Sequence, residues 1–467
     1  MTMRTTTTIL ALSVLLLAAA PATAQMSTGK GITDAIEGKK AEAPPCVGPD
    51  CPVELAPAPK APATGWKRWT NFIDRELDAV GKADLYGVTS QMPKGYASIK
   101  WDYVQIKAGR RYNDKHEIGP VMAPITVPGG KLDTGLQGHG AGHVFQASYG
   151  ITGNFDWYFE LPYQSMHTSF NPKLLGADGK PVKGNNPDGT PDPDYAMKEG
   201  FRALYKFLPA LGRPVPQLKY DADWVLGDIN TGFSWNPWRT PRMSAALTCR
   251  VFFPTGRVAN PNSSLTLGTG PELDTGIGGW AVGFTQGYDL RLFKYSYWID
   301  IVASSEFSLS YGFEQRRSYP TNFTTQPDRK VLQAFNDPTV YSSFPDLRHL
   351  KDLDSFKYTP GFGLSWTAQL AVQVALLGFN FAYGVSHSQE PELKGDYYFI
   401  QMAKSLQLLG QNTTHAIQLG ASISLMPLYI PVNFAFSWRK VVDGYNALVF
   451  DDYWNVVIKT YIPLFRK

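Results

Sequence analysis

The sequence predicts an all-β fold, an antiparallel transmembrane β-barrel of about twelve strands, with an N-terminal extension that contains a short amphipathic helix. The first observation is that apolar and polar residues alternate with period two from Lys94 onward, which is typical of strands with two different faces. In YGITGNFDWYFELPYQ (149–164), for example, Trp157 and Phe159 alternate with Asp156 and Glu160. The second observation is the rhythm of the connections between these segments.

Twelve segments carry the alternating pattern. We predict strands at 94–107, 141–151, 153–165, 223–234, 244–254, 279–293, 295–313, 357–370, 376–388, 414–426, 430–442 and 452–465. Long and short connections alternate between them, and VDGYNALVFD is predicted as a moderate loop before the last strand. Bacterial outer-membrane barrels have short periplasmic turns, longer external loops and an even number of strands. A soluble β-sandwich, the alternative fold, gives no reason for this regularity.

The first 24 residues are typical of a secretory signal peptide. An apolar run extends from Ile9 to Ala20, and Ala22-Thr23-Ala24 supplies the small residues of a cleavage site. The run is too short to span a membrane as a helix. Export followed by insertion into the outer membrane of a Gram-negative cell is therefore the predicted localisation.

Residues 25–93 differ in composition from the predicted barrel at 94–467. The Pro- and Ala-rich segment 25–65 contains Cys46 and Cys51, which would meet an oxidising compartment after export and are predicted to form a small disulfide loop. Two unpaired thiols are the alternative. From Trp66, apolar residues recur at helical spacing until Gly81, which predicts a short amphipathic helix within 66–93.

Several motifs resemble a known family. YGITGNFDWYFELPYQ, LGDINTGFSW (226–235), LTCRVFFPTGR (247–257) and LGTGPELDTGIGGWAVGF (267–284) follow one another in the order found in the outer-membrane proteins of the MetA pathway of phenol degradation. The resemblance covers residues 95–467, with the specific motifs between Tyr149 and Phe284. It implies a twelve-stranded barrel and the transport of small, often aromatic compounds, but it does not include the cysteine segment or the amphipathic helix.

The inward faces of the predicted strands carry charges of both signs. They could line a path for small solutes, or they could pair with one another and plug the interior; the sequence leaves both readings open. Lys100 and Asp102 belong to this set on the first strand. The further lumen-lining candidates are Asp156, Glu160, Asp228, Arg250, Asp289, Arg291, Asp300, Glu306, Arg439 and Lys459.

An enzyme embedded in the membrane is the alternative function. Five of the seven histidines fall at strand ends beside long loops: His139, His143, His167, His387 and His415. One of them could act as a base beside Ser386 or Ser388. Asp156 and Glu160 do not form a glycosidase pair, because four residues of a strand separate them by about 13 Å. We predict no catalytic residue, no metal site and no cofactor.

The external loop 166–222 contains a segment with helical periodicity. Asp194 precedes YAMKEGFRALYKFL, whose apolar side would include Leu204 and Tyr205. This helix could fold over the mouth of the barrel or lie on other loops.

Composition limits the partners. The net charge is +4 and the basic residues form no long run, so nucleic-acid binding has no support. The predicted partners are outer-membrane lipid, the outer-membrane assembly machinery and a small-molecule solute. The solute, the direction and energy source of transport and the oligomeric state do not follow from the sequence.

Overall fold

The computed structural model describes residues 89, 91–127, 129–210, 217–264, 271–295, 299–320, 355–396, 399–400 and 410–463. All of them belong to the unit Ala63–Lys467. The predicted signal peptide, the Cys46–Cys51 disulfide and the amphipathic helix lie outside the described residues and stay predictions.

Twelve long strands, and shorter ones beside them, follow one another along the chain. The strands are β1 (Tyr96–Tyr112), β2 (Ile118–Pro120), β3 (Ile125–Val127), β4 (Gly130–Asp133), β5 (Gln137–Thr152), β6 (Phe155–Ser169), β7 (Lys173–Leu175), β8 (Lys219–Leu226), β9 (Asn230–Arg239), β10 (Met243–Phe252), β11 (Ala281–Tyr295), β12 (Ile299–Gly312), β13 (Gln315–Arg317), β14 (Phe356–Thr359), β15 (Gly363–Val374), β16 (Leu377–Ser388), β17 (Glu392–Lys394), β18 (Asn412–Ser424), β19 (Val432–Tyr445) and β20 (Leu448–Pro463). Helix α1 spans Tyr195–Ala210 and a single 3₁₀ turn spans Met426–Leu428.

The large sheet closes on itself as a barrel. It contains fourteen strands, of which twelve, all except β2 and β8, form the ring. The order around the ring is β1, β5, β6, β9, β10, β11, β12, β15, β16, β18, β19 and β20, and β1 pairs with both β20 and β5. Every neighbouring pair in the ring is antiparallel. The predicted twelve-stranded antiparallel barrel is confirmed.

The short connections lie at one end of the barrel, together with the first residue of β1 and the last of β20, which pair as Tyr96 and Pro463. This end corresponds to the periplasmic end of an outer-membrane barrel. One connection at the opposite end departs from the prediction. The segment predicted as a moderate loop before the last strand is instead a tight turn, with only Asn446 and Ala447 between β19 and β20. Asn446 has a φ of 50°, a left-handed conformation that asparagine tolerates better than most residues.

The two faces of the barrel wall have opposite chemistry. On β16, Phe379 and Phe381 are 54% and 50% exposed, whereas Asn380 and Ala382, which alternate with them, are each 4% exposed. The same alternation places Phe434 and Phe436 outside and Asn433 and Ser437 inside on β19. Large apolar side chains cover the outer surface, as expected for a barrel in contact with lipid.

The predicted fourth strand, 223–234, is not continuous. It is divided into two strands. The strand β8 pairs with the external half of β6, and β9 pairs with the periplasmic half of β6 and with β10. The break at Gly227–Ile229 follows a register shift against β6 and a left-handed residue, Trp224, with φ of 33°. Local bulge geometry therefore overrides the alternating pattern at this point.

The predicted strand at 357–370 also starts later, at Gly363. Residues 356–359 form β14 in a small external sheet with β13 and β17. Pro360 separates the two, because proline has no N–H to continue a ladder of hydrogen bonds.

Helix α1 is present in the external loop and packs on β7 and β4, which form a second small sheet with β3. It therefore lies on other loop strands, the second of the two predicted positions. Leu204 is 7% exposed, but Tyr205, predicted for the same apolar side, is 53% exposed. Gly200 faces the loop, because a Cβ at this position would lie 2.4 Å from the Pro172 carbonyl oxygen. Among the described residues, no helix is long and apolar enough to cross a membrane.

A charge placed on the outer face should destabilise the barrel, whereas a charge on the inner face should be tolerated. We expect Phe381→Arg to cost about 2–4 kcal/mol, because Phe381 lies on the outward face within β16, where arginine would contact lipid. The measurement is refolding into lipid vesicles over a urea series, read by the different gel mobility of folded and boiled protein. Gln418→Arg is the matched control, since Gln418 is half-buried on the inner face opposite Ala382. Equal losses for the two variants would contradict this assignment of the faces.

Candidate transport lumen

A segment before β1 lies against the inner wall at the periplasmic end. The Asp289 carboxylate accepts hydrogen bonds from the Thr89 backbone N–H at 3.0 Å and from the Thr89 hydroxyl at 2.5 Å. The Asp156 carboxylate accepts one from the Met92 N–H at 2.6 Å. A Cβ on Gly150 would lie 2.3 Å from the Pro93 carbonyl oxygen, so glycine permits this close approach. Two of the predicted lumen carboxylates thus point inward and bind main-chain N–H groups.

Further predicted lumen charges pair with each other. Lys100 and Asp102 are 2.8 Å apart on β1, and Arg291 lies 3.0 Å from Asp300 across β11 and β12. The Arg291 guanidinium also donates to the Pro241 carbonyl at 3.2 Å. These pairs neutralise charge at the inner wall, which agrees with the prediction that opposite charges could pair and plug the interior.

Two more predicted basic residues stack on aromatic rings. The Arg439 guanidinium lies 5.7 Å from the centre of the Tyr453 ring, and the Lys459 ammonium lies 5.0 Å from the centre of the Tyr461 ring. Both pairs are on the inward faces of β19 and β20. Cation–π contacts of this kind hold the positive charges against the wall.

Arg250 and Glu306 are connected through two hydroxyl groups in the middle of the wall. The Arg250 guanidinium donates to Thr285 Oγ1 at 3.2 Å, Thr285 and Ser308 share a hydrogen bond of 2.9 Å, and Ser308 donates to Glu306 at 3.4 Å. The Arg250 side chain lies flat over Gly283, where a Cβ would be 2.6 Å from Arg250 Cγ. Glycine at this position makes room for the arginine.

Tyr158 lies beside this network. Tyr158, Gly232 and Arg250 are direct cross-strand partners, and a Cβ on Gly232 would lie 2.8 Å from the Tyr158 hydroxyl. Glu160, two residues further along β6, is half-buried on the same inward face. Within the described part of the chain, the Tyr158 hydroxyl and Arg250 Nε are buried without a protein hydrogen-bond partner. Buried polar atoms without a protein partner are exceptions in folded proteins.

Asp228 has a different role from the one predicted. The sequence pattern places it on the lumen wall as a lining charge, but the structure places it at the break between β8 and β9. Its carboxylate accepts hydrogen bonds from the Gly256 N–H at 2.8 Å and the Ile277 N–H at 2.5 Å. Gly276 packs directly on it, since a Cβ there would be 2.3 Å from Asp228 Oδ1. We call this arrangement of Asp228, Gly256, Gly276 and Ile277 the Asp228 clamp.

The clamp brings together three motifs that are far apart in the sequence. GDI at 227–229, PTG at 254–256 and DTG at 274–276 are far apart in sequence but meet around one carboxylate. The pattern of glycine and aspartate was visible in the sequence. Its meaning was missed, because alternation alone assigns each residue to a face and carries no information about contacts between loops.

The loop held by the clamp turns into the barrel. Two inward side chains of β6 bind it: Gln164 donates to the Thr275 carbonyl at 2.7 Å and Thr168 donates to the Pro271 carbonyl at 2.5 Å. The Thr275 hydroxyl donates to the Leu226 carbonyl at the end of β8 at 3.2 Å. Residues 271–277 therefore line the inner wall near the external mouth.

The external sheet braces the same loop. Arg317 on β13 donates to Asp274 at 3.0 Å and to the Ile277 carbonyl at 3.1 Å. Its guanidinium lies 4.1 Å from the centre of the Tyr358 ring. Burial raises the pKa of the Tyr358 hydroxyl, so the ring stays neutral beside the arginine across the physiological pH range.

The histidines at the external strand ends lie on the outer surface. His415 Nδ1 is 2.7 Å from the Tyr383 hydroxyl, and His387 Nδ1 is 2.9 Å from Thr413 Oγ1. Because side chains alternate along β16, Ser386 points to the lumen whereas His387 points outward. The serine–histidine pairing required by the hydrolase alternative is not formed there.

The remaining three histidines of this set lie on β5 and β6. Trp101 donates from its indole N–H to His143 Nδ1 at 3.1 Å, and the Trp224 ring stacks on His143 with centres 4.5 Å apart. His167 Nδ1 is 2.8 Å from Asp221, and His139 lies beside it with ring centres 6.3 Å apart. Cys249 is exposed on the outward face of β10. Within the described ranges, no group of three or more His, Cys, Asp or Glu residues is placed to hold a metal ion.

The closed ring, its apolar outer face and its polar lumen define the chain as a membrane-type β-barrel. No protein-family model matches it, and no curated protein matches it. The resemblance to the MetA pathway proteins therefore stays a prediction.

Solved structures provide distant likenesses. The COG4313 outer membrane channel from Pseudomonas putida F1 has 8% identity and a TM-score of 0.46, over 80% of this chain and 98% of that one. The NanC porin has 7% identity and a TM-score of 0.32, over 79% and 100%. The TodX deltaS2S3 mutant monoaromatic hydrocarbon channel has 8% identity and a TM-score of 0.31, over 82% and 94%. At such low identities and TM-scores, the function has to be inferred from the residues of this chain.

Removing the Asp228 carboxylate should release the inward loop. In Asp228→Ala, the Gly256 and Ile277 N–H groups lose a charged acceptor, and each such bond contributes about 1.5–3 kcal/mol. We expect faster cleavage within 253–280 by protease added to the outside of intact cells, with the barrel still folded. Asp188→Ala, in an exposed turn of another external loop, is the control. Unchanged cleavage in Asp228→Ala would show that other contacts hold the loop.

Proposed function

We propose that the protein is an outer-membrane channel through which small compounds pass. The observation that carries this proposal is the accessibility of the inner wall. Inward polar side chains such as Glu160, Glu306 and Ser308 are half-buried, not enclosed by other side chains. A barrel filled by its own side chains would bury and pair such groups, whereas a path that contains water or solute leaves them accessible.

The membrane location is part of the same proposal. A closed ring leaves no strand edge unpaired, which is a requirement for any β-structure in lipid. Exposed phenylalanines on β16 and β19 supply the apolar outer surface. Delivery by the predicted signal peptide, and insertion by the assembly machinery of the outer membrane, complete the route that we propose.

The solute class has two sources of support. The resemblance to the MetA pathway proteins supports small aromatic or hydrophobic compounds. The inward faces carry hydroxyl, amide and charged groups, which favour those members that also bear polar groups. We therefore propose small, uncharged or weakly polar compounds, including substituted aromatics.

Two alternatives remain as candidate functions. A plugged structural barrel is favoured by the ion pairs Lys100–Asp102 and Arg291–Asp300, which neutralise part of the lumen. A hydrolase at the external rim has less support, because His387 and Ser386 lie on opposite faces of β16.

Electrophysiology tests the channel proposal. The purified full-length protein in a planar bilayer should conduct potassium chloride, and liposomes that contain it should admit small substituted aromatics faster than empty ones. Arg250→Gln, Arg291→Gln and Arg439→Gln together remove three positive charges from the inner wall. The reversal potential should then shift towards cation selectivity, most clearly at low salt where screening is weak.

The matched control removes positive charges from the outer surface instead. Lys107 and Lys440 are exposed on the outward side, and replacing both by glutamine should leave the selectivity unchanged. Folded protein that neither conducts nor admits solute would contradict the channel and leave the plugged barrel.

A further inference from the structure

One row of inward side chains consists only of serine and threonine over seven neighbouring strands of the ring. The residues are direct cross-strand partners, each paired in register with the next. We call this set the hydroxyl row. Its members are Ser234 (β9), Thr248 (β10), Thr285 (β11), Ser308 (β12), Ser365 (β15), Ser386 (β16) and Thr414 (β18).

The alternation of exposed apolar neighbours places these hydroxyls in the lumen. Phe233 and Trp235 on either side of Ser234 are 47% and 49% exposed on the outer surface. Trp366, next to Ser365, is 42% exposed. On β18, Leu419 is 47% exposed, so the odd-numbered residues face outward and Thr414 faces the lumen. Thr285 is buried and the other six members are half-buried, so they remain accessible from the lumen.

The hydroxyl row climbs the barrel. Neighbouring strands are about 4.8 Å apart, so six steps span roughly 29 Å at right angles to the strands. Barrel strands tilt by about 35–45°, so a row at right angles to them rises by roughly 18 Å along the axis. Ser234 pairs with Asp156, the second residue of β6 at the periplasmic end, and Thr414 lies two residues from the external start of β18.

Neighbouring inward rows do not share this composition. The row two residues further towards the periplasm contains Ala246, Gly287, Glu306, Thr367 and Gly384. It mixes small apolar residues with a charge and a single hydroxyl. The unbroken series is therefore a property of one row, whereas a general preference for small polar residues on the inner face would appear in both.

Hydrogen bonds already run along part of the hydroxyl row. Thr248 donates to Ser234 at 3.0 Å, and Thr285 and Ser308 share a bond of 2.9 Å. A hydroxyl can donate and accept, and it can rotate to suit a new partner. A solute with several hydroxyls could thus exchange one wall partner for the next without a large barrier.

We propose that the hydroxyl row is a track for neutral solutes that carry several hydroxyl groups, such as small sugars and polyols. This inference rests on the proposed channel function and adds a second, more polar solute class to the one proposed there. Many weak, equivalent sites suit passage, because a solute must bind well enough to enter and weakly enough to leave. The row is contacted by one cation, Arg250, and by one anion, Glu306. Their opposite charges give the row no preference for cations over anions.

Current block by arabinose tests the track. In a planar bilayer with the full-length protein, arabinose should reduce the potassium chloride current in a saturable manner. A polyethylene glycol of the same hydrodynamic radius, whose ether oxygens only accept hydrogen bonds, should reduce it without saturation. In the variant Thr248→Val, Ser308→Ala and Ser365→Ala, the half-blocking concentration should rise about tenfold, since three modest hydrogen-bond contributions are lost.

Two further variants keep the test independent of folding. Ser386→Ala with Thr414→Val removes hydroxyls from the external end of the row and should weaken the block in the same direction. Ser148→Ala, Ser310→Ala and Ser422→Ala together remove three inward hydroxyls outside the row, and this control should match the wild type. Each protein is first shown to be folded by its boiling-dependent gel mobility.

The outcomes separate the two proposals. Two results would overturn the track and leave the channel. In one, the wild type conducts but arabinose and polyethylene glycol reduce its current in the same way. In the other, arabinose blocks the row variants as strongly as the wild type. A folded wild type without conductance would overturn the channel and the track with it.

Discussion

Closure of the ring by β1 is the constraint on which the rest of the structure depends. Tyr96–Tyr112 pairs with β20 on one side and with β5 on the other, so the first and last strands of the barrel have no free edge. In lipid every backbone N–H and C=O needs an internal partner, and only a closed sheet or a helix provides this. Closure also gives the wall two surfaces with different surroundings, and the period-two sequence pattern matches them.

Glycine determines where large polar side chains can lie on the inner wall. Arg250 occupies the space above Gly283, Tyr158 lies against Gly232, and Asn380 lies so close to Gly420 that a Cβ there would be 1.9 Å from its amide oxygen. The interior is therefore organised as large polar groups beside glycines. These polar side chains lie against the wall.

The Asp228 clamp couples the wall to the external loops. Asp228 sits where the strand breaks, and it binds two main-chain N–H groups of a loop that Gln164 and Arg317 hold from other sides. A strand break would otherwise leave polar backbone groups without partners. The break and the inward loop are thus one feature, in which the loop supplies contacts that the interrupted sheet does not.

The sequence by itself determined the number of strands, the faces of each strand and the end at which the long loops lie. These are local properties, because a strand's alternation and the length of a connection are read within a few neighbouring residues. Asp156 and Glu160 on one face of β6 illustrate this. The tertiary structure alone decided that Asp228 binds a loop rather than lining the lumen, that the β19–β20 connection is a tight turn, and that seven hydroxyls form one row. Each depends on register between strands or on contacts between distant loops, and a single strand's pattern is compatible with many registers.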